Sequence, residues 1–398
     1  MRPMKKLFIL SLLWVSTTGF SQHIPPLSDQ AEISVITCGP YQGELYSAFG
    51  HSAFRIHDVA SGLDKVYNYG IFDFNQPNFY LNFTRGHLLY KLGTHDYPPF
   101  KDFYISENRY VHEQVLNLTP HQKHRLYSYL EWNALPENEN YFYDYFYNNC
   151  ATKIRDVVAT VFGDSVKFDG SYIETHYTIR ELTDIYLEPQ PWGDLGIDIC
   201  LGLPMDKVAS PYEYMFLPDY VESGFDHATI RQNDAMVPIV KVKNMVYDVP
   251  KPPLVRGFFH PLFFFLMIAV LVIGLSVYDV RRGKASTWFD AILFSVTGLL
   301  GVLLLFLWFG TDHKAAARNM NLVWAFPLNL VAAIALYKNP SWLEKYFFGI
   351  AVLSALLLVS WFWLPQMLNH FIVPIVVMIM IRAFIQWHIR NEQQPSTT

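Results

Sequence analysis

Cysteine and net charge are both scarce in this chain. Only three of its 398 residues are cysteines, and its formal net charge at neutral pH is -5. So few cysteines exclude a disulfide-rich scaffold, and an odd number leaves at least one thiol outside any intramolecular bridge. The small negative net charge does not favour binding to nucleic acid, which requires an excess of basic residues. The sequence has no metal-ligand spacing and no phosphate-binding loop, so we predict neither a metal nor a cofactor.

Charged residues are missing from long stretches of the C-terminal third. A helix crosses a bilayer with about 20 apolar residues. The charge-poor stretches are 258–278, 291–310, 322–337, 346–364 and 368–389. Arg382 interrupts the last of them, and we expect its side chain to reach back toward the interface. We therefore predict an all-α transmembrane domain, 258–390, with five spans at about 258–278, 289–310, 320–337, 346–364 and 368–389.

The first residues have the pattern of an export signal. Arg2, Lys5 and Lys6 precede a short apolar core, 7–15, and small and polar residues follow where a peptidase could cut. We predict a signal peptide at 1–22, with an uncleaved anchor as the alternative. In both cases the next segment faces away from the cytoplasm.

Export of the N-terminal part fixes the orientation of the spans. The basic loop 279–284 and the tail 391–398 then lie in the cytoplasm, as the positive-inside rule requires. The loop 311–321 lies outside although it carries two basic residues. We predict a multi-pass protein of the bacterial cytoplasmic (inner) membrane, with a periplasmic domain at 23–250 and a Pro-rich linker at 251–257.

The periplasmic domain mixes strand and helix patterns. The β-branched segment 33–39 predicts a core strand, and 48–74 predicts a hairpin. Thr119, followed by a proline, marks the start of one helix. A second helix begins near Cys150, because apolar residues recur with helical spacing at Ile154, Val157, Val158, Val161 and Phe162. The segment 170–253 has no long periodic element, and its stretch 188–206 predicts structured loop.

Cys150 lies in the first turn of this second helix. The partial positive charge of a helix N-terminus stabilises a thiolate, so we expect a pKa below about 8.5 and a candidate nucleophile. The alternative is a buried cysteine that acts as a small apolar side chain. With Cys150 unpaired, Cys38 and Cys200 remain as a possible disulfide in an oxidising compartment.

A thiol nucleophile needs a base, and His51 is the best-placed candidate. It lies in AFGHSAF, where small residues let a substrate or a helix approach. A histidine in a core strand needs a polar partner or a function, so the alternative is a satisfied core histidine. A third group must orient the imidazole. Asn68 on the neighbouring strand is the candidate, and Glu44 and Asp73 compete with it.

The loop between the second and third predicted spans is rich in polar side chains. Asp312, His313, Asn319 and Asn321 crowd a short segment at the outer face of the bilayer. Polar groups at membrane depth are usually functional or paired. We expect this loop either to help bind substrate or to be solvated.

Four segments carry a family resemblance: TCGPYQGELYSAFGHSAFRI, VYNYGIFDF, YDYFYNNCATKIRD and WFGTDHKAAARNMNLVWAFPLN. Together they resemble the Lnb-type bacterial lipoprotein N-acyltransferases, in the form found in Bacteroidetes. The resemblance covers most of the chain after the signal peptide. It implies an α+β exported domain with a circularly permuted papain-like (NlpC/P60-related) fold, followed by the five-helix transmembrane domain. In such a permuted fold the histidine strand precedes the cysteine helix.

The resemblance also implies a mechanism and its partners. His51 deprotonates Cys150, with Asn68 as the third catalytic residue. The thiolate takes a fatty acyl chain as a thioester and passes it to the α-amine of a lipoprotein's diacylglyceryl-modified N-terminal cysteine. The acyl donor is either a phospholipid or the lipoprotein's own diacylglyceryl group. The aromatic run 141–147 would shelter acyl chains, and substrate contacts are expected from Glu44, Ser47, Tyr147, Asn149, Asp312, His313, Asn319 and Asn321.

Two other functions fit parts of the sequence. A papain-like domain also suits a thiol peptidase or amidase that acts on cell-wall peptides, although such an enzyme needs at most one membrane anchor. A membrane sensor or assembly factor would leave Cys150 chemically inert.

Overall fold

The computed structural model describes residues 25–72, 75–250 and 259–393. The predicted signal peptide, Asp73, the predicted linker and residues 394–398 lie outside the described residues.

Strands in the described residues form one large and one small sheet. The large sheet is antiparallel, with seven strands in the order β10-β5-β1-β2-β3-β4-β6, and the small sheet has the order β7-β8-β9. The strands are β1 Glu32–Cys38, β2 His51–Asp58, β3 Leu63–Ile71, β4 Leu88–Asp96, β5 Val111–Leu116, β6 Asn140–Tyr143, β7 Val166–Lys167, β8 Thr229–Gln232, β9 Ala235–Pro238 and β10 Val240–Tyr247.

Helices cover the large sheet and make up the C-terminal region. They are α1 Phe79–Arg85, α2 Tyr97–Ser106, α3 Pro120–Asn133, α4 Cys150–Phe162, α5 Ile179–Leu187, α6 Pro191–Cys200, α7 Pro211–Tyr214, α8 Pro218–Asp226, α9 Pro261–Arg282, α10 Thr287–Phe309, α11 Leu328–Ala335, α12 Trp342–Ser360 and α13 Val373–Glu392.

The strand and helix predictions around the candidate nucleophile are confirmed. β1 covers the predicted core strand, and β2 pairs with β3 as the predicted hairpin. Thr119 caps α3 and Asn149 caps α4, each through a side chain that accepts a backbone N–H of the first turn. The apolar face of α4 packs on one face of the sheet, in a core that includes Phe54 and Tyr69. The other face is covered by α2.

The prediction of structured loop over 188–206 is wrong, because α6 and a 3-10 turn at Leu203–Asp206 lie there. Helices α5, α7 and α8 and strands β8 to β10 lie in the rest of 170–253. In α6, Leu195 belongs to the core of the C-terminal helices, and Trp192 donates a hydrogen bond to the carbonyl of Phe259 (2.9 Å). The sequence did not reveal this helix because its apolar residues pack against the C-terminal helices and not against the sheet of its own domain.

Four helices of the C-terminal region are long and apolar enough to cross a membrane. They are Pro261–Arg282, Thr287–Phe309, Trp342–Trp363 and His370–Glu392. The third predicted span, 320–337, corresponds to a shorter apolar segment, Met320–Ala335. That segment contains a 3-10 turn, then Pro327, then α11. The chain is thus an N-terminal domain of strands and helices followed by a helical membrane region.

The expected position of Arg382 at the interface is wrong, because its side chain is fully buried among the membrane helices. Arg382 donates hydrogen bonds to Asp279 (2.7 Å) and to both carboxylate oxygens of Asp290 (2.6 and 2.9 Å). Ser276 accepts a further bond at 3.1 Å. A buried cation needs paired charges, and these carboxylates supply them from α9 and α10.

Replacing Arg382 by Met should strongly destabilise the membrane domain. The change leaves two carboxylates buried without their cation, and breaking a buried ion pair costs about 3–5 kcal/mol. Thermal unfolding of the detergent-solubilised protein measures the effect. Arg281→Met is the matched control, because that side chain is exposed at the end of α9. Equal melting temperatures for the two variants would contradict the prediction.

Candidate active site

Cys150 begins α4 at the point where this helix meets the ends of β2 and β3. Its half-buried side chain lies against Gly70, where an added Cβ would come within 3.5 Å of the Cβ of Cys150. Gly70 has a φ of 97°, which residues with a side chain rarely adopt. A glycine at this position therefore allows both the bend in β3 and the close approach of the cysteine.

Backbone N–H groups surround the sulfur of Cys150. Those of Ser52, Ala151 and Cys150 itself hydrogen-bond to it and favour its ionised form. Burial acts in the opposite direction and is the larger effect, so the pKa of Cys150 lies above its ordinary value. The expectation of a lowered pKa is therefore wrong, because the helix terminus is itself shielded from water.

His51 is held by Asn68. The Nε2 atom of His51 lies 2.6 Å from Oδ1 of Asn68. An amide oxygen only accepts, so Nε2 carries the proton and Nδ1 keeps a free lone pair. The imidazole also stacks on Tyr104, with ring centroids 6.0 Å apart. This arrangement fixes the tautomer in which His51 can accept a proton through Nδ1.

The surroundings of His51 keep the imidazole neutral. Burial lowers its pKa to about 4, the hydrogen bond to Asn68 acts against this shift, and the positive charge of Arg109 adds to it. With the raised pKa of Cys150, the resting pair is a neutral thiol and a neutral imidazole. This protonation state suits general-base activation of the thiol.

The thiol and the imidazole lie at the same end of β2. Ser52, whose N–H bonds to the sulfur, is the residue next to His51. Tyr104 stacks on His51 and its phenol interacts electrostatically with Cys150. The structure thus brings together Cys150, His51 and Asn68 from one helix and two neighbouring strands.

A small cavity of about 30 Å³ opens beside Cys150. Most of its lining is aromatic or aliphatic: Tyr46, Phe49, Gly50, Tyr143, Tyr145, Asn149, Phe216, Leu217 and Pro218. Of the residues predicted to contact substrate, Asn149 is in this lining. Its side chain caps α4 and donates to the carbonyls of Tyr145 and Phe216, both at 2.8 Å.

Three other residues predicted to contact substrate do not line this cavity: Glu44, Ser47 and Tyr147. Ser47 is buried and donates to the carbonyls of Tyr41 and Glu44, each at 3.0 Å. The side chain of Glu44 is exposed, and Tyr147 is 40% exposed. Their roles in substrate binding stay predictions.

The polar loop after α10 connects the membrane region to the N-terminal domain through hydrogen bonds. Asp312 accepts a hydrogen bond from His87 (2.5 Å), and His313 donates to the carbonyl of Phe83 (3.1 Å). The side-chain amides of Asn319 and Asn321 donate to the carbonyl of Ile199 in α6, at 2.8 and 3.2 Å. The geometry gives all four side chains a structural partner, and their contact with substrate stays a prediction.

The predicted disulfide between Cys38 and Cys200 is wrong, since both are free thiols. Cys38 is fully buried at the end of β1, opposite His51 in the strand register. Cys200 ends α6, beside the membrane helices. Cys38 belongs to the core between the sheet and α2, whereas Cys200 lies at the end of α6, and the two thiols do not form a bridge.

Two residues of the site, Arg109 and Tyr104, were not identified from the sequence. Arg109 is buried, donates to the carbonyl of Gly39 (2.6 Å) and lies over the ring of Tyr104 (4.4 Å). Its charge lowers the pKa of both His51 and Cys150. Only the long-range pairing of β1 and β5 puts Arg109 beside the site, so no local pattern identifies it.

Carboxylates cluster at the junction of the two domains, apart from the cavity. Oxygen atoms of Asp184, Asp194 and Asp198 lie within 4.8 Å of one another. Burial is the main cause of a pKa raised to about 9 for Asp184 and to about 7 for Asp194. Arg180 and Asn369 bond to Asp198. Asp198 of this cluster is therefore held by a guanidinium from its own domain and by an amide from the membrane region.

Two family models match the chain. The model described as the Lnb N-terminal periplasmic domain matches residues 28–184, and the model described as the Lnb transmembrane domain matches residues 254–394. No curated protein and no solved structure matches it.

Proposed function

Because this chain belongs to the Lnb family, whose domains indicate a membrane protein of lipoprotein processing, we propose that it is a lipoprotein N-acyltransferase. Its substrate is a lipoprotein with a diacylglyceryl-modified N-terminal cysteine, and its place is the cytoplasmic membrane. The observation that carries the proposal is the geometry of the site: Cys150 begins α4 beside an apolar cavity, and His51, 2.6 Å from its partner Asn68, lies at the start of β2.

The first step forms an acyl-enzyme. Nδ1 of His51 takes the proton of Cys150, and the sulfur attacks the carbonyl carbon of an ester-linked acyl chain. The bond between the acyl carbon and the glycerol oxygen breaks, and that oxygen leaves with the proton from His51. Backbone N–H groups at the start of α4 favour negative charge next to the sulfur, which also suits the oxyanion.

The second step transfers the chain to nitrogen. The α-amine of the lipoprotein attacks the thioester carbonyl, His51 takes a proton from the amine, and the carbon–sulfur bond breaks. The proton then returns to sulfur, which restores the thiol. A thioester is more reactive toward amines than the original ester, so the thiol divides one difficult transfer into two easier ones.

The exported domain is proposed to be a circularly permuted papain-like domain. Three features support this: the histidine strand β2 precedes the cysteine helix α4, the cysteine begins its helix, and the imidazole is oriented by an asparagine oxygen. Papain-like enzymes use the same combination of cysteine, histidine and asparagine.

The short segment Met320–Ala335 is proposed to be a fifth crossing. Asn321, at the start of this segment, contacts α6 of the exported domain. Gln366, just after the span Trp342–Trp363, also contacts that domain, through the carbonyl of Leu201 (3.0 Å). A helix of that length is about 30 Å long, so α12 begins on the opposite side of the membrane. These contacts support a crossing between Asn321 and Trp342.

Replacing Asn68 by Ala should lower the rate of transfer by about 10- to 100-fold. Without the amide oxygen, Nε2 of His51 loses the partner that fixes its tautomer. Since Asn68 acts through His51, the loss should appear in kcat more than in KM. Asn68→Asp keeps an acceptor at this position and should retain more activity than the alanine variant. Equal rates for the alanine variant and the unmodified enzyme would contradict this role.

Mass spectrometry of lipoprotein N-termini tests the proposed function. A strain lacking this protein should accumulate lipoproteins with a free α-amine, and the intact gene should restore N-acylation. Unchanged N-acylation in the deletion strain would overturn the proposal. Altered cell-wall peptides with normal lipoproteins would instead favour a thiol peptidase or amidase.

A further inference from the structure

Helix α1 exposes an unusual set of apolar side chains. Tyr80 is 77% exposed, Leu81 is 57% exposed and Phe83 is 49% exposed. Their exposure is unfavourable in water, and a cluster of this kind marks an interaction surface. The catalytic steps above do not use these residues.

Contacts with the membrane domain place α1 at the outer end of α10. The backbone N–H of Asp312 donates to the carbonyl of Arg85 (2.9 Å), and His313 donates to the carbonyl of Phe83 (3.1 Å). Asp312 follows Phe309, the last residue of α10, by three positions. The exposed face of α1 therefore lies where the span Thr287–Phe309 leaves the bilayer, at the level suited to aromatic side chains.

A continuous series of aromatic rings connects α1 with the cavity. Phe83 contacts Phe79 (centroids 6.0 Å apart), and Phe79 stacks with Phe72 (6.5 Å). Phe72 contacts Tyr90 (5.1 Å), which stacks on Tyr143 (4.3 Å). Tyr143 lines the cavity beside Cys150. The rings thus form a path from the membrane surface to the thiol, which we call the aromatic path.

A second branch reaches the same cavity. Tyr46 contacts Phe72 edge-on, with centroids 6.1 Å apart, and also lines the cavity. Its side chain is 65% exposed. Phe72 therefore contacts two rings that lead to the cavity. Tyr90 lies in β4, and Tyr46 lies in the loop before β2.

We propose that α1 inserts its exposed face into the outer leaflet and that the aromatic path guides a fatty-acyl chain from the bilayer to Cys150. The occupant is an acyl chain ester-linked to glycerol, because the path presents apolar ring surface, which suits methylene groups. The inference rests on the proposed function for its final step. Contact of α1 with lipid is independent of that step.

Photocrosslinking tests the contact with lipid. Full-length Cys150→Ser protein is reconstituted in vesicles of phosphatidylethanolamine and phosphatidylglycerol with radiolabelled acyl chains, and carries p-benzoylphenylalanine in place of Leu81 or Val59. Val59 is the matched control, because it is 71% exposed but lies at the opposite end of the β2–β3 hairpin. A labelled adduct at position 81 and not at 59 is expected. Equal labelling at both positions would overturn the proposal.

Transfer from vesicles tests the path itself. Leu81→Glu places a charge in the outer leaflet and should lower the rate of acyl-enzyme formation by about tenfold or more. Val59→Glu should leave the rate within twofold. Thermal unfolding of both variants checks that the fold is intact, and a normal rate for a folded Leu81→Glu protein would overturn the path.

These outcomes separate the inference from the proposed function. If no acyl-enzyme forms even in the unmodified protein, the acyltransferase proposal fails, whereas the crosslink still reports on α1. If acyl transfer is intact and α1 gives no lipid adduct, only the inference fails.

Discussion

Replacing Cys150 by Ser should reduce acyl transfer about a thousandfold or more, because a serine hydroxyl is a far weaker nucleophile than a thiol. Position 150 begins α4, and its side-chain atom is surrounded by three backbone N–H groups that serine can also use. The variant should therefore fold normally. Its rate is measured with purified protein in vesicles, using lipoprotein as acceptor.

Mass spectrometry of the enzyme itself gives the second readout. Without an acceptor, the unmodified protein should gain the mass of one acyl chain at Cys150, and hydroxylamine should remove it. Cys200→Ser is the matched control, because that thiol ends α6 beside the membrane helices, and it should retain its rate within about twofold. Full activity of Cys150→Ser would refute a nucleophile at this position.

Replacing His51 by Gln should lower the rate of acyl-enzyme formation by about 10²- to 10⁴-fold. The thiol of Cys150 has a raised pKa, so little thiolate forms near neutral pH without a base. Glutamine keeps a polar side chain of similar size but cannot accept the proton. A rate within threefold of the unmodified enzyme would exclude His51 as the base.

The pH dependence of acyl-enzyme formation tests the electrostatics of the same pair. Because the pKa of His51 is lowered to about 4, its base form is present throughout the range above that value. The rate should therefore hold nearly constant as the pH falls from 7 to 5 and decline only near 4. A decline centred near 6.5, the ordinary value for histidine, would contradict a buried neutral imidazole.

Protonation of His51 should also make the free energy of unfolding depend on pH. The unfolded chain protonates His51 below about pH 6.5, whereas the folded protein does so only near 4. Protons therefore favour the unfolded state between these values, and the free energy of unfolding should decrease as the pH falls. In His51→Gln this contribution should be absent, which separates it from the titration of carboxylates.

Local sequence determined the parts of the site that depend on neighbours along the chain. The helical spacing of the apolar residues after Cys150 placed this cysteine at the start of α4. The predicted hairpin 48–74 placed His51 in one strand and Asn68 in the neighbouring strand. Four charge-poor stretches predicted the four long membrane helices. These features follow from hydrogen bonding and hydrophobic periodicity, which act over a few residues.

Only the tertiary structure decided the features that depend on distant residues. Burial raised the pKa of Cys150 against the effect of its helix, and pairing of β1 with β5 brought Arg109 to the site. Carboxylates on neighbouring helices hold Arg382 in the interior, and the fold places Cys38 at the end of β1 and Cys200 at the end of α6 as free thiols. Desolvation sets the protonation state of a buried side chain, and long-range pairing sets which residues it contacts. Neither can be read from a few neighbouring residues of the sequence.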